Sequence, residues 1–209
     1  MSRKPINLNK TIGITGGIGS GKSVVARILR CNGFYVYDCD SHAKSLMMED
    51  TALKISLETL LVNDIFFPDG QLDRKRIASI IFNNEEMRKE VNGLVHAAVR
   101  NDILQFREIL EGYFFIEAAI LATGGISKFC DEIWMVEAPL EQRYARVSKR
   151  DCLKREEIEK RIKSQERELS LLEGNDLIIV ENDDEHPLLA KILQMTDKIT
   201  NKQTYFIPC

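Results

Sequence analysis

Three things are scarce in this sequence, and each scarcity removes a class of protein. Its five cysteines, at positions 31, 39, 130, 152 and 209, are odd in number, scattered and without close pairs. That spacing gives neither a disulfide framework nor a zinc site, and it reads as a set of reduced thiols. Long apolar runs are missing too. The longest, residues 113–126, is interrupted by Glu117, whereas a bilayer span needs roughly 20 apolar residues. No excess of positive charge is present either: the formal net charge is -3. A general nucleic-acid or anionic-membrane binder is therefore not expected, and any phosphate-binding charge has to be local. Residues 1–7 contain no apolar leader, so no secretory signal is expected and a cytoplasmic location is. No internal repeat or low-complexity tract stands out.

Residues 16–23 read Gly-Gly-Ile-Gly-Ser-Gly-Lys-Ser, between a β-like run at 11–15 and a helix-like run at 24–29. This is a phosphate-binding P-loop in the context it requires. Glycines at 16, 17, 19 and 21 lack a Cβ and are able to take positive φ, so successive backbone N–H groups can turn inward around a polyphosphate. Gly17, Ile18, Gly19, Ser20, Gly21, Lys22, Ser23 and Val24 form the expected nucleotide cradle. Lys22 would reach the β- and γ-phosphates, and the helix that follows points its positive end at the same anion. The Ser23 hydroxyl would join the oxygen shell of a Mg²⁺ ion bridging those phosphates. The motif itself leaves adenine or guanine open, although the Asn-Lys-X-Asp signature of many guanine-nucleotide switches is absent.

Strand-like segments at 11–15, 35–37, 113–116, 133–136 and 177–180 alternate with helical sequence, the pattern of a parallel sheet with helices on both faces. The expected fold class is α/β, a P-loop nucleoside-triphosphate hydrolase fold. A chain of 209 residues suits one such domain with additions. The expected core comprises about residues 8–40, 112–140 and 175–205. A mostly helical segment, about 41–111, is too long for one crossover and should form a helical substrate lobe. Within it, Phe67-Pro68-Asp69-Gly70 predicts a turn, and Asp73 a cap for the helix that begins at Arg74. Residues from about 141 to 173 are charged and helix-forming. Alone they would be a solvated face, but beside a P-loop they suggest a mobile arginine-bearing lid. Residues 187–200 predict a closing helix.

Ligands of such sheets bind at the carboxyl ends of the strands. Asp38 and Asp40 follow the second strand there. In an extended chain alternate residues point the same way, so both carboxylates could approach one site and orient an acceptor hydroxyl or take its proton. The competing reading is a helix N-cap before residues 41–46.

The ordered motifs resemble the dephospho-coenzyme A kinase family. They comprise residues 13–23, Asp38-Cys39-Asp40, Gly70-Gln71-Leu72-Asp73-Arg74 with Ile81-Phe82, then residues 142–151, 161–165, Asn175-Asp176 and Asn182. The resemblance extends from about residue 11 to 195. It implies a kinase that uses ATP and Mg²⁺ to phosphorylate the ribose 3′-hydroxyl of dephospho-coenzyme A, giving coenzyme A and ADP in the last step of coenzyme A synthesis. It also implies catalytic roles for Asp40, Lys22, Asp38 and Arg150. Arg146 and Arg161, with Arg143, would supply lid or nucleotide contacts. Asp40, His96 and Arg74 would meet the acceptor.

Three positions depart from the family pattern. Ala97 replaces a usual proline after His96, which shifts the expected helix start. Ala119 and Thr123 replace a proline and an acidic residue after the third strand, where Glu117 could take over a polar role. Val24 stands where threonine is frequent. Two rival readings are a P-loop kinase acting on another small acceptor and a nucleotide-dependent ATPase or switch.

Overall fold

In the computed structural model the described residues are 10–61, 65–82, 84–172 and 176–204. Asn175 and Cys209, and the boundaries expected at 8, 173, 175 and 205, lie outside them. Within this range the chain divides into two compact units, one made of residues up to 37 and from 110 onward, the other of residues 38–109.

The first unit is built on a five-stranded parallel sheet, ordered β2-β3-β1-β4-β5. Strand β1 (Lys10–Thr15) is central, pairing with β3 (Tyr113–Glu117) on one side and β4 (Glu132–Glu137) on the other. Strands β2 (Tyr35–Asp38) and β5 (Leu177–Glu181) form the edges. Position explains composition: β1 reads Lys-Thr-Ile-Gly-Ile-Thr and is buried at every residue after the first, as a strand covered on both faces must be. Helix α1 (Lys22–Cys31) contributes Val25, Ala26 and Leu29 to one core cluster with Ile12, Ile14, Val36, Phe115, Trp134, Val136 and Val180. Helix α8 (Leu188–Thr204) adds Ile192 to the same core. Phe115 and Trp134 meet edge-on, with ring centroids 5.4 Å apart, the geometry that aligns a positive ring edge with a negative face. Helices α6 (Leu140–Asp151) and α7 (Arg155–Ser170) form a pair between β4 and β5. Their shared core is small, Tyr144, Val147 and Ile158 with Leu153, Ile162 and the P-loop's Ile18 around them.

The second unit is helical: α2 (Cys39–Glu49), α3 (Thr51–Leu61), α4 (Arg74–Ile81) and α5 (Glu85–Ile109). Leu53, Leu57 and Leu61 fall at four-residue spacing on α3 and bury against Ile65, Leu72, Ile77 and Val91, a stripe with the helical period. The expected turn forms, with Gly70 N–H donating to the Phe67 carbonyl at 2.9 Å. Asp73 caps α4 by accepting from Lys75 N and Arg76 N, each at 3.0 Å.

Two local expectations change. Helix α5 runs unbroken through His96 and Ala97, so no helix begins there; alanine leaves the N–H that proline would have removed. The alternation expected for Asp38 and Asp40 ends at Asp38. Its side chain is the N-cap of α2, accepting from Asp40 N and Ser41 N at 3.1 Å each and from Ser41 Oγ at 2.9 Å. Asp40 therefore lies in a first helical turn, where its charge suits the positive end of the helix.

Candidate active site

The P-loop leaves β1 and turns directly into α1. Gly21 is the helix N-cap at φ 103°, a left-handed conformation that side-chain-bearing residues adopt at a cost. That turn lets Lys22 open the helix. Its ammonium folds back to donate to the Gly16 carbonyl at 2.6 Å, which holds a positive charge over the loop. Ser23 follows in the first turn with its side chain exposed, as does Val24, 50% exposed. The hydroxyls of Thr15 and Ser20 are buried and have no partner among the described residues. Orphaned oxygens of this kind are unusual in a folded interior.

Of the two properties expected of Gly17, the structure uses the missing Cβ. Its φ is not positive; instead the Arg143 guanidinium lies so close that any Cβ would run into Nη2. Arg143 Nε donates to the Ile18 carbonyl at 2.9 Å, and burial pulls this guanidinium below its ordinary value. One turn along α6, Arg146 donates to the Gly19 carbonyl at 3.4 Å, to Asn182 O at 3.1 Å, to Gln142 Oε1 at 3.1 Å and to Asp184 Oδ1 at 2.9 Å. Asn182, just past β5, donates from Nδ2 to the Ser20 carbonyl at 2.7 Å. The loop's carbonyls thus face α6 and the end of β5.

Arg150 grips Asp151 with two hydrogen bonds, at 2.7 and 2.9 Å, and Arg161 approaches the same carboxylate at 3.7 Å. The hydrogen-bonded carboxylate lifts Arg150 above its ordinary value, while Arg150 holds Asp151 below the usual carboxylate range. Arg150 and Arg161 are 61% and 54% exposed, so this pairing contributes little stability. Both guanidiniums stay within reach of solvent.

The other expected residues belong to the helical unit. Asp38 and Asp40 open α2, Arg74 is the exposed first residue of α4, and His96 is half-buried on α5. Cys39, between the two aspartates, is buried at 6% exposure. His42 Nδ1 lies 2.8 Å from the Asp38 carbonyl and its ring packs edge-on to Phe106.

Two contacts made by the loops after β1 and β3 lay outside the sequence reading. Ile18 N–H donates to Gln165 Oε1 at 2.6 Å. Glu168, 4% exposed, accepts from Thr123 N at 3.0 Å and from Thr123 Oγ1 at 2.6 Å, and also from Ala122 N. The loop after β3 is thus held by a carboxylate from α7. Glu117 lies 4.0 Å from Arg30 instead. A signal for Gln165 was present: Ile158, Ile162, Gln165 and Leu172 fall on one helical stripe, and a glutamine on an apolar stripe requires a partner.

A phosphate loop at the carboxyl end of a central parallel strand, with a lysine at its helix start and arginines alongside, defines a P-loop nucleotide-binding protein. The family model for dephospho-CoA kinase matches residues 10–187. A Porphyromonas gingivalis dephospho-CoA kinase is 39% identical over 92% of this chain and 96% of its own. One from Fusobacterium nucleatum is 34% identical over 90% and 97%. A solved protein of Thermus thermophilus superposes with a TM-score of 0.74 at 30% identity, covering 94% of this chain and 98% of its own. The chain belongs to the dephospho-CoA kinase family.

Proposed function

We propose that the protein transfers the γ-phosphoryl group of ATP to the ribose 3′-hydroxyl of dephospho-coenzyme A, releasing coenzyme A and ADP, the final step of coenzyme A synthesis. Family membership across residues 10–187 carries this reading, and the Lys22 loop is consistent with it. No helix among the described residues is long and apolar enough to cross a membrane, and we place the reaction in the cytoplasm.

In this reading the chain's work is positioning and charge stabilisation. The loop from Gly17 to Val24 cradles the triphosphate, and Lys22 exchanges the Gly16 carbonyl for phosphate oxygens. Asp40 orients the 3′-hydroxyl and takes its proton, with Asp38 supporting it by fixing the start of α2. His96 and Arg74 contact the acceptor. Arg150, Arg146 and Arg161, on a lid formed by residues 141–173, face the charge that develops on the transferred group. Orientation of the hydroxyl for in-line attack can supply on the order of 7–11 kcal/mol. A lid that closes once both substrates are bound withholds water, the competing nucleophile.

Mg²⁺ fits the donor set. Ser23 offers an exposed hydroxyl beside the phosphate cradle, and a hard ion that keeps most of its waters needs few protein oxygens. When bound, it neutralises charge on the β- and γ-phosphates.

The test is ADP production from ATP and Mg²⁺ with dephospho-coenzyme A, with no acceptor, and with a panel of nucleoside monophosphates, the products being identified by mass. ADP matched mole for mole by phosphorylated dephospho-coenzyme A supports the proposal. ADP formed without acceptor points to an ATPase or switch, and turnover only with another acceptor keeps the kinase and discards the substrate.

A further inference from the structure

Ile18 is gripped from three sides by the helical pair that the sequence suggested was a mobile lid. Its side chain packs against the cluster of Tyr144, Val147 and Ile158. Its carbonyl accepts from Arg143 Nε of α6 at 2.9 Å, and its N–H donates to Gln165 Oε1 of α7 at 2.6 Å. Both ends of one P-loop residue are therefore fixed from 125 and 147 residues away in the chain. Helix α7 is itself anchored one turn further on, where the buried Glu168 carboxylate binds the loop after β3. Gln165 and Glu168 are three residues apart, so they share a helix face. That face joins two loops that leave neighbouring central strands at their carboxyl ends.

A glycine-rich loop gains no conformation from its own side chains, and each residue left unordered before binding adds to the cost of binding. A hydrogen bond that sets the Ile18 peptide in advance lowers that cost. We propose that Gln165 is a positioning residue for nucleotide binding: its amide oxygen fixes the Ile18 peptide of the P-loop, with Glu168 holding α7 at the distance this requires. The proposal rests on the nucleotide-binding reading of the loop. It also locates the fixed point of the α6–α7 pair on the P-loop itself.

The experiment combines two readouts on the full chain: ATP affinity by calorimetry with no acceptor present, and amide hydrogen exchange of Ile18 in the nucleotide-free protein. Gln165→Met keeps length and removes the acceptor oxygen. It should speed Ile18 exchange about tenfold and weaken ATP binding about tenfold, while exchange in β1 and β4 stays unchanged. Gln165→Glu restores an acceptor at the same reach, so Ile18 protection should return toward the parent value even if Gln165→Met proves poorly folded. Glu168→Gln should weaken ATP binding by a smaller factor. Combined with Gln165→Met it should add less than its separate effect, since both act through one contact. Unchanged Ile18 exchange in Gln165→Met would overturn the proposal. So would faster exchange with unchanged ATP affinity, or losses spread evenly over the whole sheet. Absence of ATP binding in the unsubstituted chain would defeat the nucleotide reading first, and this is visible before any variant is compared.

Discussion

The loop after β1 and the loop after β3 leave adjacent strands, yet different distances along the chain shape them. In the first, residue types within eight consecutive positions set the turn: Gly21 takes the left-handed cap, and Lys22 opens the helix and reaches back to Gly16 at 2.6 Å. In the second, Thr123 is held by Glu168, 45 residues further along. The turn into α1, written in neighbouring residue types, survives changes elsewhere, although Ile18 earlier in the same loop is held from α6 and α7. A conformation that depends on a distant carboxylate is only as secure as the helix carrying it.

The largest break in this comparison comes from Lys22→Ala. Phosphoryl transfer should fall to background, while unfolding temperature and far-ultraviolet circular dichroism stay near the parent, because Lys22 is only half-buried at the end of the loop and, among the described residues, packs into no apolar cluster. Full activity would remove the P-loop assignment. Next, Asp40→Asn should lower turnover by about 10²–10⁴, the usual contribution of a general base, with ATP affinity nearly unchanged by calorimetry. An effect confined to ATP binding would remove its acceptor-side role.

A smaller effect is expected from Glu168→Ala, which removes a buried carboxylate and leaves the N–H donors of the half-buried Ala122 and the exposed Thr123 without it. The cost should be about 1–3 kcal/mol, a fall of several degrees in a thermal melt at roughly 2–4 °C per kcal/mol for a chain of this size. A melt within one degree of the parent would show that water replaces the carboxylate and that the β3 loop is not held from a distance.

The same distinction between near and distant determinants governs what was legible in the sequence. All five strands were readable because each is a short run rich in β-branched and aromatic residues between helical or loop segments, and Asp73 was readable as a cap because capping is local. The conformation of Asp38 and Asp40 was not. The strand ends at Asp38 and a helix begins, so a two-residue alternation could not tell an extended pair from a cap followed by a helical turn. Gln165 and Glu168 sit in a charge-rich stretch whose partners lie 147 and 45 residues away. Gln165 was hinted at by its place on the apolar stripe and at the end of the 161–165 motif, but neither named its partner.

The smallest effect concerns the segment beyond β5. His186 and Asp183 are paired at 3.1 Å, and the hydrogen-bonded carboxylate lifts the imidazole above its ordinary 6.5 while His186 lowers Asp183. A raised imidazole value means the pairing contributes fully below about pH 6.5, the unfolded value, and fades as pH rises through the folded one. For Asp183 the sign is opposite: its contribution is present above the ordinary carboxylate value of 3.8 and is lost as pH falls through the lowered one. A proton-NMR titration of His186 should therefore give a midpoint above 6.5 that falls toward the ordinary value in Asp183→Asn. An unshifted midpoint in the parent would mean that the pair does not persist in solution.

The most direct test of the central claim compares dephospho-coenzyme A with its 3′-deoxy analogue as acceptor, at equal concentration with ATP and Mg²⁺. The account predicts ADP and a singly phosphorylated product only from the acceptor that carries the 3′-hydroxyl. Equal ADP release with both would contradict it.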